Sequence, residues 1–136
     1  MKNLLLTLWQ FPQLLLGLIL IKVTNAVERK ICIDERNHIY ICYYHFERNT
    51  KFTKFISGVS LGKYILLSDN NNSITTIKHE YGHSLQSEML GILYLFIIGI
   101  PSSLGNIYAR YKNKSSEWYY NQPWEKWADE LAGVER

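Results

Sequence analysis

The amino-terminal part of the chain carries its longest apolar run. Leu4–Ile21 is apolar at most positions and is interrupted in its middle by Gln10, Pro12 and Gln13. Such a run matches a secretory signal peptide, a membrane helix, or a helix that docks on the domain or lies in the membrane interface. The interruption argues against a signal peptide, because the apolar region of a signal peptide is shorter and more uniform.

Basic residues follow this run, at Lys22, Arg29 and Lys30. By the positive-inside rule, basic residues after an apolar run favour a cytoplasmic location for the chain that follows it. We therefore expect residues 1–24 to form an apolar helix that is membrane-associated or docked, and residues 25–136 to form a single domain on the cytoplasmic side. A secreted or cell-envelope protein is the alternative.

Alternating apolar positions predict strands in the middle of the chain. Lys30–Phe46 has the pattern of a hairpin, with its turn at residues 35–38. Phe55–Asp69 has the pattern of a further strand region, in which Gly58 and Gly62 indicate a bulge or a close approach of the backbone. These segments predict a few-stranded antiparallel sheet or a hairpin.

Helical patterns dominate the rest of the chain. A helix is predicted from Ile74 onward, capped by Ser73 or Thr75. Its predicted apolar face consists of Ile74, Ile77, Tyr81, Leu85 and Met89. A last helix is predicted in Asn121–Val134, where Asn121 or Gln122 is the expected cap, Pro123 suits the first turn and Gly133 the end. Strands followed by helices are typical of the α+β class.

Composition and charge narrow the function classes. The chain has 136 residues, of which 47% are hydrophobic and 20% charged, as expected for a folded protein. The net charge of +3 comes from basic residues spread along the chain, without a basic block interleaved with aromatic residues, so we expect no nucleic-acid partner. Cys32 and Cys42 are too few for a disulfide framework; they could pair across the hairpin, but reduced cysteines are favoured.

The predicted helix after residue 73 contains the sequence His79-Glu80-Tyr81-Gly82-His83. A spacing of four places both imidazoles on one side of a helix, where their nitrogens can reach one metal ion. Zinc lowers the pKa of bound water to about 7, and a carboxylate at Glu80 is placed to take the proton. The alternative is an ordinary amphipathic helix with two histidines on its solvated face, since this short pattern also occurs by chance.

A catalytic zinc site needs a third protein ligand. A third histidine would have to come from upstream, at His38 or His45. The acidic candidates downstream are Glu88, Glu117, Glu125, Asp129 and Glu130. In the last predicted helix, Glu125 and Asp129 share a face with two alanines, which would let this helix approach the histidine helix closely. Glu125 would then bind the metal, and Asp129 would orient a ligand imidazole.

The motif followed by Glu125-x-x-x-Asp129 resembles the gluzincin class of zinc metallopeptidases. This resemblance implies a zincin-like domain in which His79, His83 and Glu125 bind zinc, Glu80 is the general base and Asp129 supports a ligand. The chain departs from the class by a longer gap between His83 and Glu125, and by Trp124 in place of the usual asparagine. Over nearly its whole length, the chain also resembles a group of short bacterial proteins described as metallopeptidase-like, through LWQFPQLLLG, SLGKYILLS, HEYGHSLQSEMLGILYLFIIGIPS and WEKWADELAGV.

A second apolar run, Met89–Gly105, follows the motif, and Gly91, Gly99 and Pro101 are expected to break it into short pieces. It is short for a membrane span, so burial in the core is the favoured interpretation, and a position in or against the membrane is the alternative.

Together these patterns predict a small zinc metallopeptidase that acts on a peptide or protein, with its site at a membrane surface if the apolar runs are membrane-associated. An edge strand within Phe55–Leu67 would align the substrate, by resemblance to zincins, and Tyr119 or Tyr120 would assist the oxyanion. A non-catalytic zinc-binding or membrane-associated interaction protein is the alternative. The pattern leaves the oligomeric state open.

Overall fold

A computed structural model of the protein describes residues 2–34, 39–47, 58–68 and 73–136. These residues form six α-helices and four β-strands, which confirms the α+β class. The elements, in chain order, are α1 (Lys2–Trp9), α2 (Phe11–Thr24), β1 (Val27–Asp34), β2 (Ile39–Phe46), β3 (Gly58–Leu61), β4 (Tyr64–Ser68), α3 (Ile74–Leu90), α4 (Ile100–Tyr111), α5 (Ser116–Tyr120) and α6 (Pro123–Ala132). The predicted hairpin turn at 35–38, and residues 55–57 of the second strand region, lie outside the described residues.

The four strands form one mixed sheet in the order β1-β2-β4-β3. The pairs β1/β2 and β3/β4 are antiparallel, whereas β2 and β4 are parallel. The prediction of an antiparallel sheet is therefore wrong for the β2/β4 pair, whereas the alternative prediction of a hairpin is confirmed by β1 and β2. Burial explains why β4 lies inside the sheet rather than at its edge. Ile65, Leu66 and Leu67 of β4 are all at most 2% exposed, so both faces of this strand must be covered. The strand β3 is more polar and takes the edge.

A two-residue turn joins β3 to β4, and Gly62 is its first residue, with φ of 64°. A glycine with positive φ at this position is the mark of a tight type II′ hairpin turn. A β-carbon at Gly62 would lie 2.6 Å from the Leu14 side chain, and one at Gly17 would lie 2.8 Å from Tyr64. Helix α2 therefore packs closely on this hairpin, and the close backbone approach predicted at Gly62 is confirmed.

Helix α3 begins where its cap was predicted, since the Ser73 hydroxyl accepts a hydrogen bond from the backbone N–H of Thr76 at 3.2 Å. Its predicted apolar face is only partly correct. Ile77 is 1% exposed, but Ile74 and Met89 are 45% and 59% exposed. The most deeply buried side of α3 is instead the polar one, which contains the two histidines. This arrangement occurs because α6 covers the polar side.

Contact between α3 and α6 is close at one point on each helix. A β-carbon at Gly82 would overlap the backbone carbonyl of Ala128, which is itself fully buried. Small residues at a crossing point let two helix backbones approach each other. Glycine at the centre of α3 thus sets the distance between the helices that carry the predicted ligands.

The second apolar run is broken as predicted. Gly91, with φ of 56°, ends α3, and a 3₁₀ turn and a π turn follow before α4 begins at Ile100. Burial in the core was the wrong interpretation for most of this run. Tyr94 and Ile98 are buried, but most of the other large apolar residues of the run are exposed.

Within the described parts of the chain, no single helix has both the length and the hydropathy to cross a membrane. Two bent pairs, 3–9 with 11–24 and 74–93 with 95–111, meet these criteria jointly, with bends of 84° and 118°. Cys32 and Cys42 are both free, as favoured from the sequence.

Replacing Gly82 by alanine should lower the free energy of unfolding by about 3 kcal/mol, because the new methyl group must push the α6 backbone away. Zinc binding should weaken in parallel. Chemical denaturation and zinc titration measure the two effects. Gly99→Ala is the matched control, since its β-carbon would meet its nearest neighbour at an ordinary 3.6 Å. Equal stability of the two variants would contradict the close helix contact.

Candidate metal centre

Three side chains predicted as ligands meet between α3 and α6. Nε2 of His79 and Nε2 of His83 each lie 3.0 Å from Oε2 of Glu125. The ligand atoms of all three residues lie within 4.8 Å of one another, and all three side chains are buried. The helical spacing of four places the two rings edge to face, with centroids 4.7 Å apart.

The other nitrogen of each ring is bound to a separate acceptor. Nδ1 of His79 lies 2.7 Å from Oδ1 of Asp129, and Nδ1 of His83 lies 2.7 Å from Oε1 of Gln86. The Gln86 amide donates its own N–H to the Trp124 carbonyl at 2.9 Å, which fixes the orientation of the amide. Because a carboxylate and an amide oxygen only accept, Nδ1 must carry the hydrogen in both rings.

This tautomer leaves both Nε2 atoms as lone-pair donors when the rings are neutral. They point at Oε2 of Glu125, which is also an acceptor. Three lone pairs therefore converge in a buried site. Their mutual repulsion is relieved only by positive charge, either from a metal ion or from additional protons. The second oxygen, Oε1 of Glu125, is buried and makes no close hydrogen bond, while the hydroxyls of Ser102 and Tyr119 interact with the same carboxylate. Two imidazoles and one carboxylate are a known ligand set of catalytic zinc sites, so the residues fit this ion.

Electrostatics of the metal-free cluster agree with this donor set. Burial alone would raise the pKa of Glu125, but its hydrogen bonds with His79 and His83 outweigh burial and lower the pKa. Burial alone would lower the pKa of His79, but its bonds to Asp129 and Glu125 raise it to about 9. Without a metal, a proton on His79 thus supplies the positive charge that the two carboxylates require.

Asp129 is held from its far side by Arg136. The guanidinium Nε donates to Oδ2 of Asp129 at 2.8 Å, and its carbon lies 3.5 Å from the ring centroid of Tyr120. The Tyr120 ring in turn meets the His79 ring at right angles, at 5.0 Å. Burial favours a higher pKa for Asp129, but its bonds with His79 and Arg136 lower it. Asp129 therefore stays ionised and keeps the His79 tautomer.

Sequence reasoning missed two of these supporting residues. Gln86 lies one helical turn after His83, so its spacing was a usable signal for a residue that orients the ring. Arg136 gave no such signal, since it follows the helix end at Gly133 and reaches Asp129 only through the tertiary fold.

Glu80 lies beside the cluster and is only 8% exposed. It lies against Gly58 of β3, where a β-carbon would lie 2.8 Å from Oε1 of Glu80. Burial raises the pKa of Glu80, and the adjacent histidines oppose this effect. A carboxylate with a raised pKa next to a metal site is typical of a general base.

Two cavities meet at Glu80. Their volumes are about 460 and about 560 Å³, and both are lined by Gly58, Glu80, Asn106 and Tyr119. His79 and Tyr120 line the smaller cavity and His83 lines the larger one. His79 and His83 therefore border two cavities that share part of their lining, which we together call the cleft and in which a substrate could lie beside the candidate ligands.

The two tyrosines proposed for the oxyanion both line this cleft. Burial raises the pKa of Tyr119 and of Tyr120, so both hydroxyls keep their protons at neutral pH. The Tyr119 hydroxyl lies 2.8 Å from the hydroxyl of Ser102. The Tyr119 hydroxyl also interacts with the Glu125 carboxylate, so it could reach an oxyanion only by giving up these partners.

The other candidate ligands do not join the cluster. His38 lies outside the described residues, and His45 is on β2, apart from the group formed by α3 and α6. Glu88, Glu117 and Glu130 are exposed.

No family model, curated protein or solved structure matches this chain.

Replacing Glu125 by glutamine should lower zinc affinity at least about 100-fold, since the only anionic ligand becomes neutral. Folding should persist, because an amide can still hydrogen-bond the histidines. Competition with a chromogenic chelator measures the affinity, and thermal unfolding checks the fold. Glu130→Gln, an exposed change on the same helix, should leave zinc affinity unaltered. Unchanged affinity in the Glu125 variant would remove this residue from the ligand set.

Zinc affinity should rise with pH by about tenfold per unit between about pH 6 and pH 9. The sign follows from the pKa of His79 at about 9 in the metal-free protein. Below this value, His79 carries a proton that must leave before Nε2 can bind metal. Titrations in buffers of different ionisation enthalpy measure the proton release directly. An affinity that does not change with pH would contradict protonation of His79 in the metal-free site.

Proposed function

We propose that the protein is a zincin-like zinc-dependent peptidase. His79, His83 and Glu125 hold the ion, and the single observation that carries the proposal is the convergence of their three lone pairs. The resemblance of the motif to gluzincins supports the same ligand set. Asp129 and Gln86 keep the two imidazoles in the tautomer that a metal requires.

Zinc in such a site supplies Lewis acidity, which polarises a carbonyl group and eases the deprotonation of water. Glu80 accepts the proton of the attacking water and returns it to the leaving amine. The buried position of Glu80 beside the histidines supports this role, since burial raises its affinity for the proton. Tyr119 or Tyr120 donates a hydrogen bond to the oxyanion.

The edge of the sheet favours a peptide as substrate. Strand β3 is paired on one side only among the described strands. In an antiparallel hairpin with a two-residue turn, alternate residues direct their backbone N–H and C=O groups away from the partner strand, and in β3 these residues are Gly58 and Ser60. The Ser60 carbonyl accordingly accepts a hydrogen bond from the Tyr94 hydroxyl at 2.9 Å. Among the described strands, Gly58 therefore has no partner on this side, and its N–H and C=O face outward beside Glu80.

An extended peptide that pairs with Gly58 would lie along the cleft, with its backbone next to the general base. Tyr94 already occupies the Ser60 carbonyl, so pairing is restricted to the Gly58 end of the strand. This arrangement gives the predicted aligning strand a physical basis. It also explains glycine at position 58, because a side chain there would press on Glu80.

Replacing Glu80 by glutamine tests the function. Zinc content should remain one ion per chain, while the rate of peptide-bond cleavage should fall at least about 1000-fold, because the general base is lost. Mass spectrometry of a complex peptide mixture measures cleavage across many candidate sequences at once. Glu88→Gln, an exposed change on the same helix, should retain the activity.

Two outcomes separate the enzyme from the alternative of a non-catalytic zinc-binding protein. Cleavage by the wild type that the Glu80 variant loses supports the peptidase. Full zinc occupancy with no cleavage of any peptide, or equal cleavage by both proteins, supports the alternative.

A further inference from the structure

The contact between the amino-terminal helices and the end of α3 is polar. Gln10 and Gln13 are 2% and 0% exposed, and their amides donate to the hydroxyl of Ser87 at 2.9 and 3.1 Å. Gln13 also donates to the Gly91 carbonyl at 2.6 Å. The residues that interrupt the first apolar run therefore attach it to the end of α3, in addition to the packing of Leu14 and Gly17 on the β3–β4 hairpin. Hydrogen bonds between buried polar residues are the means by which helices associate in lipid.

The apolar side chains of the same helices point outward. In the described parts of the chain, the large apolar residues that are exposed number ten in residues 4–23, ten in residues 89–111 and three elsewhere. The two stretches adjoin, because the Trp9 indole packs on Gly91 and donates to the Glu88 carbonyl at 3.2 Å. We refer to the exposed apolar side chains of these two stretches as the apolar surface.

The amino-terminal helices thus make polar contacts with α3 and expose apolar side chains, whereas a helix of a water-soluble protein usually buries its apolar side chains and exposes its polar ones. Helix α2 is apolar around nearly its whole circumference, and Leu15, Leu16, Leu18 and Ile19 are each between 44% and 48% exposed. A helix that is apolar on all sides belongs in a protein core or in lipid. Large contiguous apolar patches on a protein surface mark a binding site for a partner or a membrane.

The distribution of charge favours a membrane over a protein partner at the apolar surface. Residues 1–27 and 89–116 contain no aspartate or glutamate, although the chain has 12. Basic residues lie at the end of each stretch. Lys22 is in the last turn of α2, and Arg110, Lys112 and Lys114 lie at and after the end of α4. The exposed rings of Tyr108 and Tyr111 lie among them. Basic and aromatic residues at the rim of an apolar face match the headgroup zone of an anionic bilayer.

The larger cavity opens on this surface. Its lining includes Leu16, Phe96, Ile100 and Leu104, which are 44–65% exposed members of the apolar surface, and at its other end it reaches Glu80 and His83. A path of about 560 Å³ therefore connects the apolar surface with the candidate metal centre.

We propose that the apolar surface lies in the interfacial zone of an anionic bilayer, and that the larger cavity admits an apolar stretch of a membrane-bound polypeptide from the lipid side. The second half rests on the proposed function, whereas the first does not. The substrate class is then a membrane-associated polypeptide, whose apolar residues occupy the cavity while its backbone reaches Gly58.

Flotation with vesicles of phosphatidylcholine and phosphatidylglycerol tests the membrane contact. The full-length protein should float with the vesicles, and less so at high salt or without phosphatidylglycerol. The double variant Leu15→Glu/Ile19→Glu should partition at least about tenfold more weakly, because it places two charges in the apolar surface. The matched control Val27→Glu/Tyr40→Glu adds the same charge at exposed apolar positions of the sheet and should partition as the wild type does. A stable oligomer that ignores vesicles, or equal weakening by both variants, overturns the proposal.

Vesicles that contain a phosphatidylcholine with a photoreactive acyl chain test the cavity. Adducts should map to residues 95–104, around the mouth, and should be absent from the β1–β2 pair. Absence of adducts at the mouth, in protein that floats, overturns entry from the lipid side. Zinc content measured on the same samples keeps this result separate from the proposed function, since lipid labelling requires neither metal nor turnover.

Discussion

The close contact between α3 and α6 determines the position of every donor in the candidate metal centre. It exists because Gly82 has no side chain to keep the Ala128 backbone away. At this distance the Glu125 carboxylate reaches both imidazoles, and Asp129 reaches the rear of one of them. A wider spacing would separate the carboxylates from the rings, and the lone pairs would no longer converge.

Burial of this cluster requires compensation, because buried polar and charged groups are unfavourable unless they are paired. The chain provides it through successive hydrogen bonds, in which Gln86 supports His83 and Arg136 supports Asp129. At Glu125 the compensation is weaker, since Oε1 makes no close hydrogen bond and only the hydroxyls of Ser102 and Tyr119 interact with the carboxylate there. Two imidazole lone pairs that meet a buried carboxylate are consistent with a ligand site whose energetics are completed by an ion.

The polar core and the apolar exterior have one common explanation if the protein is a peptidase that works at a membrane. Glu80, the cleft and the edge at Gly58 would then provide the elements of peptide hydrolysis beside α3. The helices of the apolar surface attach to the end of the same helix through Ser87, so the proposed membrane contact and the proposed chemistry would share a single rigid element. Such a layout would hold the cleft near the lipid without placing the charged cluster in it.

Local signals in the sequence were sufficient for the elements that depend on neighbouring residues. The cap at Ser73, the break at Gly91 and the side-by-side histidines follow from backbone geometry and helical period, which act within a few positions. The tertiary structure alone decided the parallel pairing of β2 with β4 and the part played by Arg136, whereas Glu125 was chosen from its helix pattern and the resemblance, and the fold brings it to the histidines. These depend on which distant surfaces meet, and burial of whole faces governs that choice. The same reason explains why α3 buries its polar side: its partners, rather than its own pattern, determine which face is covered.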